Sequence, residues 1–255
     1  MGYLSGIESQ TAQVAVRIRY LVTAVPVIAN LLVLIGLGIV YNLKKGEEEF
    51  LAVQPLGAKT YAKLRDQYVP GGQMWISESG DAGGGGDTWA STYLDVLRTL
   101  NELGGFSEVT DGIIFHNTLC SSDYGFLRHG TFDPRPNYFA VLLWNRLVGP
   151  IVYESGEPIR EGAHVYARSR KDGKEGLVYV VINNSLTDET TVLLPKAAEV
   201  YELAGEGGNM RVPVMTLNDR MLLSDERGAL PDLSPEVVSA GEMAIAPGGC
   251  SFFVL

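Results

Sequence analysis

The chain has 255 residues, 46% of them hydrophobic, with a net charge of −10 and a pI near 4.8. No run of Lys or Arg exceeds two residues, which excludes nucleic acid as a partner because phosphate binding needs a concentrated basic face. The length allows one large or two modest domains, and the two cysteines, Cys120 and Cys250, match no metal-ligand spacing and read as isolated thiols.

The first feature along the chain is the run from Leu21 to Val40, which carries no charged residue. At about 1.5 Å per residue such a run spans roughly 30 Å, the hydrocarbon thickness of a bilayer. Tyr20 and Tyr41 stand at its ends, where amphipathic rings favour the interface, and Lys44 and Lys45 follow. Pro26 interrupts it, as membrane helices tolerate. A signal peptide would have a shorter apolar region and an A-x-A-like site. A core helix is rarely apolar all round for so long. The run therefore predicts a membrane-spanning helix over about residues 20–41, anchoring the rest of the chain. Arg17 and Arg19 balance Lys44 and Lys45, so charge does not fix the orientation.

This stretch resembles the last helix of a glycoside–pentoside–hexuronide sugar:cation symporter. The matching pieces are Val16-Arg17-Ile18-Arg19, Val25-Pro26 and Tyr41-Asn42-Leu43. The resemblance implies a cytoplasmic tail after the span, and ancestry rather than transport, since one helix cannot carry sugar.

Gly46 to Glu49 switch the chain from apolar to charged and read as a linker, giving a first segment of residues 1–49. Ala58–Tyr68 has helical spacing and ends at Val69-Pro70-Gly71-Gly72. Met74-Trp75-Ile76 is a short strand, followed by a glycine-rich loop from Ser77 to Gly86. Trp89–Leu103 is an amphipathic helix with a stripe of Tyr93, Leu94, Leu97, Leu100 and Leu103. Gly112–Phe115 is a second strand, leading through His116 and Asn117 into a polar loop that reaches Tyr124; Tyr138–Leu147 is another apolar helix. Strand, loop, helix, twice over, predicts a (β/α) barrel portion or an open α/β sheet across residues 50–149.

After Gly149-Pro150 the pattern becomes one of short strands separated by turns: Val165–Arg168, Leu177–Asn183, Thr190–Leu194 and Cys250–Leu255. That spacing predicts a β-sandwich over residues 150–255.

Glu78 is the leading candidate for chemistry. A carboxylate at a strand's C-terminal end with glycines after it can face an open cleft, although most glutamates simply solvate a surface. The run Gly83–Gly86 offers backbone N–H groups to an anion, but no Lys-Ser/Thr follows, so it is not a P-loop and a flexible loop is the plainer account. His116 could bind substrate or orient a nucleophile, or simply hold a loop; His129 and His164 read as structural or exposed. No Ser-His-Asp, Cys-His or metal constellation emerges, and no cofactor is expected.

Taken together, these residues carry a family resemblance. In order they are Trp75-Ile76-Ser77-Glu78-Ser79, the glycine run, Trp89-Ala90-Ser91-Thr92, His116-Asn117-Thr118-Leu119, Ser122-Asp123-Tyr124-Gly125, and Pro134-Arg135-Pro136-Asn137-Tyr138-Phe139 with Leu142-Leu143-Trp144. This series resembles glycoside hydrolase family 79, the heparanases and β-glucuronidases. The resemblance implies a (β/α)8 barrel with a β-sandwich alongside, and retaining cleavage of β-linked uronic acids. It implies Glu78 as nucleophile, Gly84 and Gly85 as contacts to the substrate carboxylate, Tyr124 in the same role, and His116 in the pocket.

One departure is large. Retaining hydrolysis needs two carboxylates about 5–5.5 Å apart. The family's acid/base is a glutamate after an asparagine that follows the fourth barrel strand. The resemblance begins near Phe50, just before the seventh, so strands one to six and that glutamate have no counterpart in the match. The expected architecture is thus the last two strand–helix units of a (β/α)8 barrel, then a β-sandwich, behind one transmembrane helix. The expected function is the nucleophile-bearing portion of a uronide hydrolase, with a uronic-acid glycoside as ligand and a further chain supplying the missing barrel strands. The alternative is a catalytically inactive, membrane-tethered remnant, or a carbohydrate-binding or packing module, from a symporter–hydrolase fusion.

Overall fold

The computed structural model describes residues 12–24, 26–28, 30, 47–80, 86, 89–155 and 162–255. The chain divides into two compact units, Met1–Lys45 and Gly46–Leu255. In the first, α1 (Ala12–Val22) is a helix of 11 residues. Among the described residues no helix is long and apolar enough to cross a membrane. A helix of that length reaches only about half of the roughly 30 Å needed. The expected transmembrane helix over residues 20–41, and the membrane anchorage drawn from it, are therefore withdrawn. Residues 25, 29 and 31–41 of that stretch lie outside the described residues.

In the second unit α2 (Glu47–Tyr68) starts well before the predicted Ala58, because residues 47–56 hold no glycine and mostly strong helix formers. Then follow β1 (Ile76–Ser79), α3 (Leu94–Ser107), β2 (Ile114–His116) and α4 (Pro136–Leu147), whose first residue is a proline where its missing N–H costs nothing. α3 begins later than its apolar stripe predicts because Ser91, at φ 67°, turns the chain through a conformation no helix can hold.

The remainder is β: β3 (Val148–Tyr153), β4 (Ala163–Arg170), β5 (Leu177–Asn183), β6 (Thr190–Leu194), β7 (Ala198–Gly205), β8 (Met215–Leu217), β9 (Arg220–Met221), β10 (Glu236–Val238), β11 (Gly241–Ile245) and β12 (Cys250–Val254). An antiparallel eight-stranded sheet runs β3-β4-β5-β12-β7-β8-β9, with β10 also on β7; β11 and β6 form a separate ribbon. The expected architecture is corrected accordingly. Among the described residues strands far outnumber helices, and β1 and β2 pair only with each other, in a two-stranded parallel sheet. A closed barrel needs each strand paired on both sides.

Two apolar layers hold the large sheet. On one face α3 and α4 bring Leu94, Leu97, Leu100, Phe139 and Leu143 against Val180, Ile182, Leu203 and Phe252. On the other, Val181, Val200 and Phe253 meet Leu194 and Ile245 of the ribbon. β12 is buried along all five of its residues, the polar Ser251 included, so no exposed face alternates with a buried one. α3 comes close to its neighbours through two glycines: an added Cβ would lie 2.5 Å from the Tyr166 ring at Gly104 and 2.5 Å from Pro55 at Gly105. Cys120 and Cys250 are both free thiols.

Candidate active site

β1 starts two residues later than its apolar run predicts, and this places Ser77, Glu78 and Ser79 inside the strand. Pairing with β2 causes the shift. Ile76 is opposite Ile114 and Ser79 is opposite His116, so three steps on β1 match two on β2. The extra residue bulges the strand there, as often happens where a side chain is re-aimed. Glu78 is exposed, whereas Ser79 is buried.

Past the end of β2 the Asn117 N–H donates to the Ser79 carbonyl across 2.6 Å. The Asn117 Nδ2 donates to Glu78 Oε1 at 2.7 Å and lies 3.4 Å from the Tyr124 hydroxyl. Gly80 lets this corner close: a Cβ there would sit 2.9 Å from the Asn117 carbonyl oxygen and 3.1 Å from the Tyr124 ring. An open cavity of ≈ 300 Å³ lies over the strand ends, lined by Ser77, Glu78, Phe115, His116, Asn117, Thr118 and Leu119. Among these described residues Glu78 is the one carboxylate.

His116 stacks on Phe126 with ring centroids 4.1 Å apart, and its Nε2 lies 3.1 Å from the Tyr124 carbonyl oxygen. A carbonyl only accepts, so Nε2 carries the hydrogen and Nδ1 remains an acceptor. Burial pushes the imidazole down to about 4, opposed by the Tyr124 contact, so the ring is neutral at physiological pH.

Beneath the strands lies a buried charge cluster on α3. Arg98 Nε donates to Asp95 at 2.7 Å and Nη1 to Glu102 at 2.5 Å, all three side chains being almost wholly buried. The Ser79 hydroxyl donates to Glu102, and Asn137 of α4 donates to both Asp95 (3.1 Å) and the Tyr124 carbonyl (3.0 Å). One network thus ties β1, α3, α4 and the Tyr124 loop. Burial works against the Arg98 charge, but Asp95 and Glu102 outweigh it and push the guanidinium up. Burial raises the Glu102 carboxyl, against the pull of Arg98 and Ser79. Arg135, itself buried, draws in the carbonyls of Ser122, Asp123 and Gly125 and so fixes the loop that carries Tyr124.

Of the predicted residues, Glu78, His116 and Tyr124 are brought together, while Gly84 and Gly85 lie outside the described residues. Among the described residues no group of three His, Cys, Asp or Glu side chains could hold a metal. Sequence reasoning missed Asn117 as a partner of Glu78, a contact 39 residues apart in the chain. It also missed Asp95, Arg98 and Glu102, whose spacing of three and four along one helix face was a readable signal.

No family model matches the chain. The baicalin-β-D-glucuronidase of Scutellaria baicalensis is 28% identical over 226 residues, covering 81% of this chain and 42% of that protein. Heparanase-like protein 1 of Arabidopsis thaliana is 27% identical over 267 residues, 85% of this chain and 48% of its own length. The chain is thus similar to glucuronidases and heparanase-like proteins of glycoside hydrolase family 79. It spans less than half the length of the curated relatives it matches. A solved 4-O-α-L-rhamnosyl-β-D-glucuronidase from Fusarium oxysporum 12S shares the fold, with a TM-score of 0.56 over 82% of this chain and 50% of that one at 14% identity. The resemblance of residues 1–49 to a symporter helix finds no support among these relatives.

Proposed function

We propose that this chain carries the nucleophile side of a retaining glycosidase site for β-linked uronic acids. The observation that carries the reading is Glu78 itself, on the bulged end of β1, held by Asn117 at 2.7 Å at the edge of an open cavity beside His116 and Tyr124. It is supported by the kinship to glucuronidases and heparanase-like proteins. Glu78 attacks the anomeric carbon. The Tyr124 hydroxyl, with backbone N–H groups of Gly84 and Gly85, receives the uronate. A neutral hydroxyl with N–H donors binds that anion without burying a compensating cation. The neutral His116, with Nδ1 as acceptor, takes a sugar hydroxyl.

A retaining enzyme needs a second carboxylate about 5–5.5 Å from the first. In this reading it comes from polypeptide outside the described residues, on this chain or another. A second reading, carbohydrate binding without turnover, is favoured by Glu78 being the one carboxylate among the described residues of the cavity. The discriminating experiment is covalent trapping by a 2-fluoro β-glucuronide whose leaving group departs without acid help, read by intact mass.

A further inference from the structure

The proposed function uses the Asn117 side chain only as a hold on Glu78, yet it touches both Glu78 and Tyr124. Its backbone N–H is tied to the Ser79 carbonyl, so the pairing of the two strands, not the side chain, sets where it stands. A carboxylate only accepts, so the amide must turn its NH2 toward Glu78. An NH2 group has two hydrogens, enough for Glu78 Oε1 at 2.7 Å and the Tyr124 oxygen at 3.4 Å.

Each contact has a chemical consequence. Donation to Oε1 fixes the rotation of the carboxylate and leaves Oε2, which has no hydrogen-bond partner among the described residues, as the oxygen offered to substrate. A Tyr124 hydroxyl that accepts from the amide keeps its own hydrogen for donation outward. Donors and acceptors in such a chain polarise one another. An anionic acceptor on Tyr124 makes a charge-assisted bond roughly twice as strong as a neutral one.

We infer that Asn117 is a positioning residue that couples the orientation of Glu78 to recognition of the substrate carboxylate by Tyr124. This rests on the roles proposed above for those two residues. The coupled step is a displacement. A bond forms between Glu78 Oε2 and the anomeric carbon as the bond to the leaving group breaks, and the leaving group departs as an anion with the electron pair.

The test compares labelling rates of the full chain by two probes, a 2-fluoro β-glucuronide and the matching 2-fluoro β-glucoside, each with a dinitrophenolate leaving group. Asn117→Ala is expected to slow glucuronide labelling by roughly a hundredfold, the scale of losing one preorganised donor. The preference for glucuronide over glucoside is expected to fall about tenfold, as for loss of one charge-assisted contact. Asn117→Asp keeps the shape, replaces the donor by an acceptor, and is expected to act in the same direction. A purely structural role would slow both probes equally. A wild-type chain that labels, with the preference unchanged in both variants, overturns the inference alone. A wild-type chain that labels with neither probe removes the Glu78 reading and the inference with it.

Discussion

His116 and Tyr124 are joined through a backbone carbonyl, the His116 Nε2 donating across 3.1 Å. Because burial holds the imidazole near 4, well below its ordinary 6.5, the folded chain binds fewer protons at this site than the unfolded chain between those values. Its contribution to stability is therefore complete above about pH 6.5 and is lost as pH falls toward 4. Glu102 works with the opposite sign: its raised carboxyl favours the fold at low pH and ceases to do so as pH rises through its folded value. Comparing wild type with His116→Gln separates the two. Urea unfolding at pH 7 and pH 5 is expected to show the wild type losing up to about 2 kcal/mol more than the variant over that interval. Equal losses would mean the imidazole is not held neutral.

Arg98 lies between Asp95 and Glu102, and all three are almost wholly buried. Replacing one partner of such a cluster leaves uncompensated buried charge, so Arg98→Met is expected to cost roughly 3–5 kcal/mol. Arg98→Lys should recover little, because one ammonium cannot reproduce the guanidinium's separate bonds to the two carboxylates. Thermal unfolding of both variants checks this; a loss below about 1 kcal/mol would show that the cluster reorganises freely.

Gly104 is in the interior of α3, where alanine would ordinarily gain about 1 kcal/mol from helix propensity. The Tyr166 ring lies 2.5 Å from where the new Cβ would stand, and Tyr166 is itself buried with its hydroxyl on Asn101. Overpacking of this kind costs about 1–3 kcal/mol, so the crowding outweighs the propensity. Gly104→Ala is expected to lower the urea midpoint; a raised midpoint would mean the helix can move away from the sheet.

Much of the fold was legible where local chemistry dominates. β5 and β6 coincide with their apolar runs because Leu177–Asn183 and Thr190–Leu194 are β-branched or aromatic stretches bounded by turn residues. β8, β9 and β10 are two or three residues long and exist through pairing with distant partners, which no local pattern encodes. β7 was missed because Glu199 and Glu202 interrupt its apolar residues. The apolar run over Leu21–Val40 suggested a spanning helix, whereas no helix among the described residues is long and apolar enough to cross a membrane. At the site, Glu78 was visible through its motif, but the bulge against His116 and the reach of Asn117 depend on two strands meeting from 39 residues apart.

The most direct measurement on the central proposal is the intact mass of the full chain after incubation with a 2-fluoro β-glucuronide bearing an activated leaving group, followed by peptide mapping. The account predicts one covalent adduct, located on the peptide containing Glu78 and lost in Glu78→Gln. A folded, monodisperse chain that gains no mass, or gains it on another residue, would contradict the nucleophile role and leave carbohydrate binding without turnover as the better reading.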